Sequence, residues 1–95
     1  MDEWKAQEKL FRILADKTRI KILHRIKAGE RCGCDLIYCL DISQPTLSHH
    51  LKVLHEQGII TGEKDKNKVV YSLNQDKLDE VWENFVSLLD KDIDC

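Results

Sequence analysis

Apolar positions recur at helical spacing through most of the chain. Trp4, Leu10, Phe11 and Leu14 fall on one side of a helical projection, which predicts an amphipathic helix over about residues 1–15, ending near "LADKT". A second helix follows, with Asp16 or Thr18 as its cap, Ile20, Ile22, Leu23 and Ile26 on its apolar side, and Ala28-Gly29 as its stop. Leu36, Ile37 and Leu40 form a short apolar segment closed by Asp41-Ile42-Ser43. The clearest helix is "SQPTLSHHLKVLHEQG". Ser43 is its N-cap candidate, Pro45 sits in a first turn that has no use for its missing N–H, Leu47, Leu51 and Leu54 mark the buried face, and Gly58 ends it.

After that helix the period changes to that of strands. Ile59–Glu63 and Val69–Leu73 read as two strands, and the polar "EKDKNK" between them as a hairpin tip, with Asn67 available for a left-handed position. A last helix is predicted over about 75–90, with Leu78, Val81, Trp82, Phe85, Leu88 and Leu89 at helical spacing. The order α-α-α-α-β-β-α, two short helices joined by a tight turn and followed by a basic hairpin, predicts a winged helix-turn-helix, mainly α with a β-hairpin wing. Residues 1–95 read as one domain, without repeat or linker.

At this size a single-chain core is thin, and a homodimer interface is expected to supply part of it. The predicted dimerisation helices are 1–15, carrying Trp4, Leu10 and Phe11, and 75–90, carrying Leu78, Trp82, Phe85 and Leu89. No stretch approaches the length of an apolar membrane span, and "MDEWKAQEKL" lacks the features of a signal peptide, so a cytoplasmic location is expected. In a reducing compartment closely spaced cysteines favour metal binding or redox sensing over a structural disulfide. The net charge of −2 conceals a polarity: residues 5–31 hold nine Lys and Arg against three acids, and residues 74–95 hold two Lys against seven acids. Local field decides whether a phosphate backbone is attracted, so the basic part can meet DNA while the acidic tail points away.

"ERCGCDL", "SQPTLSHHLKVL" and "GIITGEKDKNKVVYSLN", in this order, resemble the ArsR/SmtB family of metal-responsive repressors over residues of about 10 to 90. The first two strings most resemble its arsenic-responsive members. The resemblance implies a dimeric repressor on double-stranded operator DNA with an inverted repeat, and it implies that the helix beginning near Gln44 is the recognition helix. With Leu47, Leu51 and Leu54 facing the core, Gln44, Thr46, Ser48, His49 and Lys52 are left to reach a major groove. His50 is left open; adjacent helical residues diverge by about 100°, so His49 and His50 do not chelate one ion together. Lys64, Lys66 and Lys68 would grip phosphate as a wing, diluted by Glu63 and Asp65.

Cys32 and Cys34 can share an ion only if Cys32 lies in extended backbone ahead of the following helix, a bend that Gly33 permits. There the helix dipole favours thiolate, and thiolates select soft ions. The resemblance then implies As(III) or Sb(III) as inducer, with no obligatory cofactor. Zinc-sensing relatives use His and carboxylate sites on the last helix, which has no His here, and cadmium- or lead-sensing relatives use N-terminal thiols absent from this chain. Where a third cysteine is found in the nearest pattern this chain has Ile37; Cys39 is the nearest substitute, either a third ligand or, five residues from Cys34 and off its helical face, a core residue of the short helix, and Cys95 in the acidic tail either reaches the site or has no part in it. A redox switch, or response to a soft divalent metal such as cadmium, lead or zinc, is the alternative on the same fold. An enzyme is not expected: there is no C-x-x-C on a strand-to-helix turn, no phosphate loop and no nucleophile beside a base.

Overall fold

The computed structural model of the chain describes residues 2–93. Its elements are α1 (Glu3–Leu14), α2 (Lys17–Lys27), α3 (Gly33–Leu40), α4 (Gln44–Glu56), β1 (Ile60–Asp65), β2 (Lys68–Leu73) and α5 (Gln75–Leu89), the predicted order. Each helix starts on a side chain that accepts a backbone N–H three residues ahead, which satisfies a donor the helix cannot pair internally. Asp2, Asp16, Cys32, Ser43 and Asn74 accept from Lys5, Arg19, Asp35, Thr46 and Lys77 respectively. Asp16, rather than Thr18, therefore opens α2.

The core joins α2, α3, α4 and the start of the hairpin. Ile22, Ile26, Leu36, Leu47, Leu51, Leu54, Ile59 and Ile60 form one buried cluster, and full burial of such a side chain contributes about 1.5–3 kcal/mol. Two glycines adopt the left-handed backbone that stops a helix cheaply: Gly29 after α2 has φ +107° and Gly58 after α4 has φ +75°.

β1 and β2 are antiparallel, from Ile60 opposite Leu73 to Asp65 opposite Lys68. Both strands run nearer the tip than expected, and the turn is only Lys66-Asn67. The left-handed residue is Lys66, at φ +60°, and not Asn67. Pairing Asp65 with Lys68 leaves two turn residues, and Lys66 is the first of them. A second correction concerns Ile20, assigned to the apolar side of α2 but 52% exposed. Ile22 and Ile26, four apart, turn the inward face of that short helix away from it.

α1 and α5 pack on each other and reach this core only through Ile13, Leu14 and Leu78. The Phe11 and Phe85 rings meet edge to face at 4.9 Å, and Lys91 pairs with Glu3. The chain is elongated, 52 × 23 × 22 Å with a radius of gyration of 15.3 Å, against about 12 Å for a compact chain of this length. Among the described residues no helix is long and apolar enough to cross a membrane.

Candidate nucleic-acid interface and thiol site

Ser43 sets the exposed end of α4. Its Oγ accepts the Thr46 N–H at 3.3 Å and donates to the Thr46 hydroxyl at 2.8 Å, so the Thr46 side chain is partly committed to the cap. Gln44, Thr46, Ser48, His49 and Lys52 are all exposed, while Leu47, Leu51 and Leu54 are buried. Ser48, Lys52 and His55 face Gly62, Val69 and Tyr71 across an open groove of about 320 Å³, which puts the helix and the hairpin side by side on one surface. Gly62 allows that hairpin to close tightly: a Cβ there would lie 3.1 Å from the Val69 side chain. Lys64, Lys66 and Lys68 are exposed along the strand ends and turn.

His50, left open by the sequence, does not join that surface. It is buried, and its Nδ1 accepts the Arg19 Nε–H at 3.0 Å; Arg19 Nη1 also donates to the Ile13 carbonyl at 3.4 Å. One guanidinium thereby ties α4 to α2 and to the end of α1. Burial first, then the positive neighbours Arg19 and His49, holds the His50 pKa below the ordinary imidazole value, with Asp16 opposing. Asp16 itself is lowered, chiefly by the Arg19 N–H it accepts.

This contact requires a neutral imidazole, and its pH dependence has a definite sign. The unfolded chain takes up the His50 proton nearer 6.5, ahead of the folded one, so stability falls as pH drops from that value through the lower folded pKa. Thermal melts at about pH 7.5 and pH 5.5 should differ by on the order of 1 kcal/mol more in the unmodified chain than in His50→Gln, roughly the worth of one such hydrogen bond. Equal pH dependence in the two proteins would contradict this.

The two thiols that were expected to converge do so. Cys32 is the α3 N-cap, extended at φ −101° and ψ 156°, and Cys34 is in the first turn, with their Cα atoms 5.4 Å apart. Their sulfurs are joined as a disulfide, a state the sequence reading set aside on grounds of compartment. The same extended-then-helical bend that would let the sulfurs share an ion lets them bond to each other. Cys32 is buried and Cys34 exposed, and the Asp35 carboxylate lies with both sulfurs within 4.8 Å.

Cys39 is elsewhere. Its free thiol donates to Glu30 Oε1 at 3.2 Å, a carboxylate that also meets Arg25 Nη1 at 3.3 Å, and this carboxylate pushes the Cys39 pKa up. Among the described residues the donor nearest the thiol pair is Asp35, which the sequence reading did not select. Its place in the first turn of α3, one residue after Cys34, was the available signal. Cys95 lies outside the described residues.

A second groove, of about 420 Å³, connects these features. Cys32, Cys34, Gln44, Ser48, Lys68 and Tyr71 are among the residues lining it, so the thiol pair borders both α4 and the hairpin.

The predicted dimer residues divide into three sets. Trp4, Trp82 and Leu89 are 60%, 61% and 66% exposed, whereas Leu10, Phe11 and Phe85 are half-buried. Leu78 packs on the main core instead. Val86, not selected from the sequence, lies between Trp82 and Leu89 on the same stripe.

Comparison with known proteins agrees with this architecture. Residues 16–61 match the family model described as bacterial regulatory protein, arsR family. The chain is 42% identical over 81 residues to an arsenical resistance operon repressor of Staphylococcus aureus, covering 85% of this chain and 78% of that protein. It is 37% identical over 92 residues to the arsenical resistance operon repressor of Staphylococcus xylosus, covering 97% and 88%. A crystal structure of a possible transcriptional regulator for arsenical resistance is 28% identical, with a TM-score of 0.72 and coverage of 84% and 83%. On this similarity in sequence and fold, the chain belongs to the ArsR family of bacterial regulatory proteins.

Proposed function

We propose that the chain is a homodimeric repressor that binds an inverted-repeat operator in double-stranded DNA and leaves it when As(III) or Sb(III) engages the reduced Cys32 and Cys34. The observation that carries this reading is the position of the thiol pair. It opens α3, the first helix of the helix-turn-helix, and borders the groove shared with α4 and the hairpin. Two thiolates fit a thiophilic ion, and the Asp35 carboxylate is the third donor within reach, ahead of Cys39. A bound ion would hold both sulfurs in one arrangement. Release of DNA then requires only that this arrangement favour a different placement of α4 and the wing, a coupling typically worth about 1–3 kcal/mol.

The disulfide must open first. Two electrons and two protons from an external dithiol convert it to two thiols, and the dithiol leaves as its own disulfide. An operator titration with reduced protein and a panel of arsenite, antimonite, cadmium, lead and zinc tests the reading: arsenite or antimonite should release DNA at the lowest concentration. Release by cadmium alone would replace the proposed inducer.

In the DNA-bound state Gln44, Ser48 and His49 read base edges, with Thr46 beside them at the cap, and Lys52, Lys64, Lys66 and Lys68 hold phosphates. Ser48→Ala or His49→Ala should cost about 1–3 kcal/mol on the operator and relax discrimination. Lys66→Ala should weaken operator and random DNA alike and reduce the salt slope by about one unit. Equal losses on both DNAs for all three variants would contradict the division.

The observed Cys32–Cys34 bond favours a second reading, in which oxidation itself is the signal. Peroxide would take two electrons and two protons from the thiols, forming the S–S bond and two waters. Release by peroxide without any response to arsenite would select it.

A further inference from the structure

The residues just ahead of α3 touch the wing through an isolated bridge beside its two strands. Cys32 pairs antiparallel with Val70 of β2, and the Tyr71 N–H donates to the Arg31 carbonyl at 2.8 Å. Arg31 then closes its guanidinium over the same strand. Its Nε donates to the Tyr71 carbonyl at 2.9 Å and its Nη2 to the Ser72 hydroxyl. The backbone of the residue next to Cys32 is thus bonded directly into β2, whose far end carries Lys68 and the turn with Lys66. From Tyr71 to Lys68 at the turn is four residues of strand, roughly 10 Å. A small rotation at the clamped end is enlarged at the lysines.

We infer that Arg31 is a positioning residue that couples the state of the Cys32–Cys34 pair to the wing. The inference rests on the proposed inducer site and adds the route by which that site acts. When the sulfurs are drawn into a new arrangement, Cys32 moves as the α3 cap, and the Arg31 backbone bond and the isolated Cys32 bridge carry the movement into β2. The forked contact keeps β2 from sliding independently. Without it the pair can still bind its ion, but the wing no longer follows. A second route exists through the packing of Leu36 and Leu47 between α3 and α4, and the two routes make different demands on Arg31.

The test compares reduced unmodified protein with Arg31→Ala, Arg31→Lys and Ser72→Ala. Three quantities are read for each: arsenite bound, by loss of titratable thiols; operator affinity with and without arsenite; and hydrogen exchange at the Tyr71 amide. Arg31→Lys keeps a positive charge near DNA but not the planar two-point fork. Both Arg31 variants should bind arsenite as the unmodified protein does and exchange the Tyr71 amide faster without any ion. In both, the arsenite-dependent drop in operator affinity should shrink from within the typical allosteric range of about 5–150-fold to less than about threefold. Ser72→Ala, losing one of the clamp's contacts, should fall between.

Full release in Arg31→Ala, or full rescue by Arg31→Lys, would overturn the inference and leave the α3–α4 packing as the route. Lost arsenite binding in the Arg31 variants would also overturn it, by making Arg31 part of the ion site. If unmodified protein binds no arsenite, the functional reading itself has failed, a result distinct from all of these.

Discussion

Cys32→Ser and Cys34→Ser proteins are expected to fold, dimerise and bind operator as the unmodified chain does, and to ignore arsenite. Serine suits both positions. Cys32 is an N-cap whose sulfur accepts the Asp35 N–H at 3.4 Å, and serine is among the preferred residues for that role. Cys34 is exposed, and a disulfide spanning a sequence separation of two constrains little of the unfolded chain, so its loss costs little stability. With one thiol gone the ion has no soft pair to grip, and an arsenite effect of about 5–150-fold on operator affinity should fall to none. The measurement is an operator titration at fixed arsenite under reducing conditions.

Cys39→Ser supplies the contrast. Its hydroxyl can still donate to Glu30, so release should be unchanged. Complete loss of release in Cys39→Ser would restore Cys39 as a ligand and displace Asp35. A Cys32→Ser protein that still leaves DNA at the same arsenite concentration would remove the inducer site from this stretch altogether.

What the sequence announced was local. Ser43, Pro45 and Gly58 mark the ends of α4 because caps and breakers act within a few residues, and Leu47, Leu51 and Leu54 mark its buried face for the same reason. The C-x-C spacing next to Gly33 gave the condition for the two sulfurs to meet, an extended Cys32, and the backbone there is extended. What it did not announce was made by contacts between distant segments. His50 is held by Arg19, 31 positions away, and Arg31 by Tyr71, 40 positions away; neither pairing leaves a mark at either end of the chain segment involved. Periodicity also cannot tell which apolar residue faces outward. Ile20, read on the apolar side of a short helix, is exposed, and Leu78, read as a dimer residue, packs on the core of its own chain.

The outward-facing residues on α5 set up the other large effect. Trp82, Val86 and Leu89 form an exposed stripe at spacings of four and three, flanked by Trp4 of α1, and the Phe11–Phe85 contact holds the two helices together beneath it. That contact lies within one protomer, so the stripe can be altered without opening it. Trp82→Asp should therefore keep its helix content and sediment as a monomer at micromolar concentration, because a carboxylate at a self-complementary interface meets its own copy and is desolvated without a partner. Two half-sites held by one dimer bind with an effective-concentration advantage of about 10²–10⁴, and the variant should lose operator affinity on that scale while its recognition helix stays intact. Binding to a single half-site by the monomer should match that of the unmodified chain to an isolated half-site. A Trp82→Asp protein that still sediments as a dimer would move the interface away from this stripe, and an unmodified protein that sediments as a monomer would remove the dimer.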